Sequence, residues 1–300
     1  MPPQPQCEPR RRVIDIAAAD GAGQVAALEF GDPSRPLDVL FLHANGFNAG
    51  TYRSALAPLA DTMRVLAADM RGHGRTRLPT VAEGHSWMVF ADDLLALLAA
   101  LGEIPAVLSG HSMGATTTLL ALSQIPAAAR PKLVLFDPVI PPRAHFQTGP
   151  RSAEWDFPLA RGALKRRDVF ASADEAFALY QGRGAFQSWP DTTLRDYLTD
   201  GLTEDPDGTM RLSCSPHWEA TNFAHFGIAD AYPALDNPPA PIRILRAEHQ
   251  STCHFQSGSA RATVQMETVS GTTHFIPMER PDCVAAALRL SQSTQGSTSF

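Results

Sequence analysis

No apolar run in these 300 residues is long enough to cross a bilayer. The longest, Leu94 to Leu101, falls well short of the roughly 20 residues a span needs and sits in a helical pattern. Positive charge is scarce too: apart from Arg10-Arg11-Arg12 and Lys165-Arg166-Arg167, which read as solvated surface, there is no basic cluster, and the formal net charge is −6. A nucleic-acid partner is therefore not expected. The four cysteines, Cys7, Cys214, Cys253 and Cys283, form neither a CxxC pair nor a metal-ligand spacing. They are expected to be free thiols, in keeping with a reducing compartment. Residues 1–12 carry proline and charge but no apolar h-region, so the expected location is cytoplasmic. There is no internal repeat.

What is present is a globular composition, 44% hydrophobic and 19% charged, able to bury a large core. After the first dozen residues, Val13 to Ile16 and Gln24 to Phe30 read as an opening strand pair, and Gly31-Asp32-Pro33 as a turn. Then short apolar runs alternate with longer helical patterns. Strands are expected at Leu37 to Leu42, Arg64 to Ala68, Ala106 to Leu108 and Lys132 to Phe136, and helices at Tyr52 to Ala60, Ser86 to Leu101 and Thr116 to Gln124. Such alternation means parallel strands joined by helical crossovers, an α/β class. The rhythm breaks from Val139 to about Asp236, where Ala173 to Tyr180 and Thr192 to Leu198 are helical candidates. It resumes with strands at Ile242 to Ala247 and Thr263 to Val269 and a helix at Asp282 to Leu290.

Gly110-His111-Ser112-Met113-Gly114 lies between an apolar run and a helical one. A strand turning sharply into a helix exposes the hydroxyl of its apex residue, and glycines two positions away on each side relieve the crowding. The Met113 N–H and the positive end of the following helix then face the point where negative charge would develop on a substrate oxygen. By chance this pattern arises in about one chain in ten of this size, so context must carry it. A serine hydroxyl needs a base, and the base needs an orienting acid. The base candidate is His274, between the last expected strand and the last expected helix, at the carboxyl ends of the parallel strands.

With Leu42-His43-Ala44-Asn45-Gly46-Phe47, Asp69-Met70-Arg71-Gly72-His73-Gly74, the Ser112 turn and His274-Phe275-Ile276-Pro277-Met278-Glu279-Arg280-Pro281 in this order, the chain resembles the α/β-hydrolase family. The resemblance implies a mostly parallel central sheet flanked by helices, with a mainly helical cap inserted after the sixth core strand. The core would comprise residues 1–139 and 236–300, the cap residues 140–235, and flexible tails residues 1–12 and 291–300. It further implies Ser112 as nucleophile, His274 as base, the N–H groups of Asn45 and Met113 as oxyanion hole, and Gly46, Phe47 and His111 beside the substrate, with His111 reading as a packing residue rather than a second base. His43 and His73 read as structural residues bonding backbone carbonyls. At the commonest acid position, after the strand Ile242 to Ala247, this sequence has Gln250, which carries no charge. Two carboxylates remain: Asp137, at the end of the sixth strand, where haloalkane dehalogenases carry their acid, and Glu248, two residues early in the usual loop. Asp137 is preferred. In the insertion Trp155, Phe157, Phe170, Phe177, Tyr180, Phe186, Trp189, Trp218, Phe223 and Phe226 would form a cap core and roof an apolar pocket. Glu219 reads as helix surface, with a polar fixing group in that pocket as the alternative.

The expected activity is hydrolysis of small to medium, largely apolar carboxylic esters through an acyl-enzyme, with no metal or organic cofactor and no partner beyond the small-molecule ester. Alternatives are cleavage of a lactone, thioester, amide or C–C bond on the same fold, or a binding protein of this fold without turnover. A C–C hydrolase would call for a buried basic residue to take a substrate carboxylate.

Overall fold

In the computed structural model, residues 8–81, 85–146, 157–225, 229–256 and 263–293 are described; Cys7, Trp155 and Phe226 lie outside them. The chain runs β1 (Arg10–Ala18), β2 (Gly21–Phe30), β3 (Val39–Leu42), α1 (Arg53–Leu56), β4 (Val65–Ala68), α2 (Met88–Leu101), β5 (Val107–His111), α3 (Met113–Leu122) and β6 (Lys132–Phe136). Next come α4 (Pro158–Leu164), β7 (Val169–Phe170), α5 (Ala173–Tyr180), α6 (Asp191–Gly201), β8 (Leu202–Glu204), β9 (Met210–Leu212), α7 (Pro216–Ala224) and α8 (Tyr232–Asp236). The chain closes with β10 (Ile242–Ala247), β11 (Val264–Val269), α9 (Ile276–Glu279) and α10 (Pro281–Ser293).

The main sheet has eight strands in the order β1-β2-β4-β3-β5-β6-β10-β11. β1 and β2 form an antiparallel hairpin and β2 meets β4 antiparallel, whereas every pair from β4 to β11 is parallel. In β3, β4 and β5 every residue is buried, as expected when helices cover both faces. Side chains alternate between the two layers. Leu40, Leu42, Leu66, Ala68 and Leu108 join the core that includes Phe90 and Leu94 of α2 and Leu119 of α3. Val39, Phe41, Val65, Ala67 and Val107 join the opposite core with Leu56 of α1 and Val284 and Leu288 of α10. α2 stops at Gly102, in the left-handed region at φ 67°, whose N–H caps the Leu98 and Ala99 carbonyls.

Two local expectations change. The strand before Ser112 runs on to His111, because Ser109, Gly110 and His111 still find partners in Phe41, Leu42 and β6. The helix expected over Tyr52 to Ala60 breaks into a 3-10 turn (Ala49–Tyr52), α1 and a second 3-10 turn (Ala57–Leu59). Pro58, with no N–H to donate, sits at this second turn. The insertion between β6 and β10 is mainly helical, as expected, and adds a small antiparallel sheet of β7, β9 and β8. Strands of two or three residues show no alternation to read in sequence. Cys214, Cys253 and Cys283 are free thiols, and among the described residues no helix is long and apolar enough to cross a membrane.

Candidate active site

Ser112 sits between β5 and α3 at φ 56°, ψ −120°, a left-handed conformation that costs a residue with a Cβ roughly 1–3 kcal/mol. The surroundings hold it there. Its N–H donates to the Phe136 carbonyl at 3.0 Å, extending the β5–β6 ladder past the strand end, and its own carbonyl accepts from the Thr116 N–H at 3.1 Å. Neither flanking glycine can carry a side chain. A Cβ on Gly110 would lie 2.6 Å from the carbonyl carbon of Gly114, and one on Gly114 would strike the Leu42 and His43 carbonyls. α3 therefore packs directly on the end of β3.

His274 follows β11 after a turn at Gly271. Thr273 ties the loop down by donating its N–H and hydroxyl to Glu279, both at 2.7 Å. His274 Nε2 lies 2.9 Å from Ser112 Oγ and Nδ1 lies 2.6 Å from Asp137 Oδ2. Asp137 is buried completely and held at φ 40° beyond β6. Four further donors surround its carboxylate: the Ala247 N–H (2.9 Å), Ser251 Oγ (2.6 Å), the Thr252 N–H (3.0 Å) and Thr252 Oγ1 (3.3 Å). Burial alone would raise its pKa; the hydrogen bond and charge of His274, with the Ser251 hydroxyl and Ala247 N–H, hold it below the usual carboxylate range. An ionised Asp137 fixes the His274 proton on Nδ1 and leaves Nε2 free to accept from Ser112.

Glu248, the other candidate acid, is elsewhere. Its half-exposed side chain accepts from the Gly271 N–H at 2.7 Å and makes no bond to His274. The loop after β10 thus brings hydroxyls to the site rather than a carboxylate. Ser251 and Thr252 went unread in the sequence; the signal was their place beside an uncharged Gln250, itself at φ 53°.

Around Asn45, buried histidines act as connectors. His43 donates from Nδ1 to the Ala44 carbonyl (2.8 Å) and accepts at Nε2 from the Met70 N–H (2.8 Å). His73 donates from Nδ1 to the Arg71 carbonyl (2.8 Å) and accepts from the Gly46 N–H (3.0 Å). Their pKa values are pushed down by burial, that of His73 to about 4, so both rings are neutral. The Phe47 N–H bonds the Ala44 carbonyl, and the Ala44 N–H bonds Tyr52 Oη at 2.9 Å. Among the described residues, the N–H groups of Asn45 and Met113 have no protein acceptor. The Asn45 side chain is anchored from the insertion: it donates to the Glu219 carbonyl at 3.0 Å and accepts from Asn222 Nδ2 at 2.9 Å, both on α7.

His111 stands differently from the substrate-facing place expected for it. It is fully buried, accepts from Tyr52 Oη at 2.9 Å and donates from Nε2 to the His274 carbonyl at 2.7 Å, so neither ring nitrogen remains for a ligand. Burial, then the neighbouring His274, pushes its pKa down to about 3. Ala44, Tyr52, His111 and His274 form one hydrogen-bonded line linking three loops. Phe47 faces Trp189 (5.0 Å between ring centroids) and Phe275 (6.2 Å), and Phe275 lies 5.6 Å from the His274 ring. These three aromatics form an apolar wall beside the histidine.

The sequence profile of the Alpha/beta hydrolase family matches residues 39–287. The chain belongs to that family. Its sequence is 25% identical over 260 residues to the 2-(acetamidomethylene)succinate hydrolase of Mesorhizobium japonicum, spanning 85% of this chain and 87% of the relative. The crystal structure of E-2-(acetamidomethylene)succinate hydrolase superposes with a TM-score of 0.71 at 22% identity, covering 95% of this chain and 100% of the other. A peroxisomal alpha-beta-hydrolase from Saccharomyces cerevisiae superposes with a TM-score of 0.75 at 20% identity, covering 98% and 92%. Hydrolytic chemistry is the common ground of this alpha/beta hydrolase and its relatives. The bond and the substrate are not set by the fold.

Two charged residues of the insertion lie deeper than their sequence context indicates. Arg166 is not solvated surface. It pairs with Glu219, and its other terminal nitrogen donates to Tyr197 Oη at 3.0 Å and Tyr180 Oη at 3.3 Å. Glu219 is buried on α7, 7% exposed, rather than on a helix surface. A triplet of basic residues hides this, because helix α4 ends at Leu164 and only the middle side chain turns inward.

Proposed function

We propose that the protein is a serine hydrolase that cleaves carboxylic esters through an acyl-enzyme on Ser112. One observation carries the reading: the unbroken line Asp137–His274–Ser112, at 2.6 and 2.9 Å, on a strained turn beside two N–H groups without protein acceptors. Ser112 Oγ attacks the acyl carbon as His274 Nε2 takes its proton, and Asp137 stabilises the imidazolium. The Asn45 and Met113 N–H groups hold the oxyanion. Collapse breaks the bond to the leaving alcohol, which receives the proton from His274. Water then attacks the acyl-enzyme with His274 again as base, releasing the acid and free Ser112. In this reading the insertion serves as a cap, and Phe47, Trp189 and Phe275 favour an apolar acyl or alcohol part.

A second reading is amide cleavage. The name of the relative matched over most of this chain includes an acetamido group on a succinate, and an amide is within reach of the same nucleophile and base. Arg166 is the sort of part-buried cation that an anionic substrate requires, but Glu219 already balances its charge. That pairing favours the ester reading. A fluorophosphonate probe should label wild type at Ser112 and leave Ser112→Ala unlabelled. A panel of p-nitrophenyl esters of rising acyl length, run beside N-acyl enamines, then separates the readings: turnover of the amides with inert esters reverses their order.

A further inference from the structure

Beside the loop that carries Asn45 lies a carboxylate. A Cβ placed on Gly46 would sit 2.6 Å from Glu219 Oε1 and 2.9 Å from its carboxyl carbon, so the acid rests against the residue next to the proposed oxyanion donor. The Glu219 main chain holds the Asn45 side chain in the same place. A bare negative charge there opposes a second negative charge on a tetrahedral intermediate. Between unit charges a few ångströms apart at the effective dielectric of a protein site, such repulsion slows a step roughly tenfold to a hundredfold.

Arg166 removes that opposition. Its guanidinium bonds the distal Glu219 oxygen, while Tyr197 and Tyr180 fix its other terminal nitrogen from α6 and α5. Tyr197 in turn packs on Phe47, the next residue of the same loop, at 5.9 Å. Stability gives little reason for such a pair, since apolar residues of similar volume often replace a buried ion pair without loss. We infer that Arg166 is a positioning residue for the hydrolytic reaction: it neutralises and holds Glu219 so that the loop bearing the Asn45 N–H can accept an oxyanion. The inference rests on the acyl-enzyme reading. It makes the pair an electrostatic part of the oxyanion site rather than a receptor for a substrate carboxylate.

A charge-reversal logic gives the test. Wild type is first labelled with the fluorophosphonate; absence of labelling at Ser112 removes the proposed function itself. With labelling established, kcat and KM for a p-nitrophenyl ester are compared across wild type, Arg166→Gln, Glu219→Gln and the double variant. Arg166→Gln should lower kcat about thirtyfold with KM changed less than threefold. The same replacement in the Glu219→Gln background should cost less than threefold, because no charge is left to neutralise. A trifluoromethyl ketone, bound as an oxyanionic adduct of Ser112, should lose affinity in step with kcat, while binding of an uncharged aliphatic alcohol as a competitive inhibitor stays level. A merely structural role would weaken both ligands. Equal losses in the two backgrounds, or a loss confined to KM, overturns the inference. Should Arg166→Gln not fold, Arg166→Lys in wild type and the double variant carry the comparison: both should turn over within about tenfold of wild type, and an inactive member of either kind overturns it.

Discussion

Two loops reach His274 from neighbouring strands, and they bring opposite halves of one interaction. The loop after β6 carries a carboxylate, Asp137; the end of β10 and the loop after it carry the donors that surround it, Ala247, Ser251 and Thr252. Register explains the arrangement. β6 and β10 pair in parallel, with Phe136 beside Leu245, so their ends emerge side by side and either can serve the same histidine. A carboxylate taken wholly out of water needs several hydrogen bonds to stay ionised. Once Asp137 occupies the place, the adjacent loop is of most use as a set of hydroxyl and amide donors. The lesson is that the acid of such a site is a task shared by two strand ends rather than a fixed position.

The comparison breaks most sharply under mutation of the acids. Asp137→Asn should lower kcat by roughly 10⁴-fold, as loss of a charged partner and the wrong imidazole tautomer require. Glu248→Gln should stay within about twofold in the same steady-state assay. The reverse pattern would transfer the role to the β10 loop.

Acid unfolding sharpens it next. His43, His73 and His111 are buried and neutral, with pKa values depressed below the ordinary 6.5. A depressed group contributes stability that is complete above its unfolded pKa and is lost as pH falls toward the folded one. His73, lowered to about 4 by burial, contributes on the order of 3 kcal/mol. Asp69 and Asp196, raised by burial to about 7 and about 6, titrate in the same window with the opposite sign, so the comparison is with His73→Gln: the wild-type melting temperature, relative to that variant, should fall between pH 6.5 and about 4, before Asp137 itself titrates. A difference between the two proteins that stays flat over that range would contradict a neutral His73.

The smallest effect concerns the donors. Ser251→Ala and Thr252→Val leave more of the Asp137 charge uncompensated, so the His274 imidazolium is held more strongly. The acid limb of kcat/KM should rise by a few tenths of a pH unit, with a rate loss of roughly tenfold or less. A fall in activity with no movement of the limb would make these residues part of the loop fold alone.

Much of this site was legible because its parts are local. The Gly110 to Gly114 turn, the strand–helix alternation and the His274 loop are each written within a dozen residues, and the order of four blocks points to one sheet. Boundaries were less so: where β5 ends depends on partners in β3 and β6, and where the helix after Tyr52 breaks depends on Pro58 and its packing. By itself the sequence determined the parallel sheet, the strained serine and the loop holding the histidine, because turn chemistry and hydrophobic period act over short range. Only the tertiary structure decided which carboxylate stands 2.6 Å from His274, why His111 has no free nitrogen, and that Arg166 turns in against Glu219. Each of those depends on residues brought together from distant strands or from the insertion, and charge pairing across such distances leaves no periodic mark in the chain.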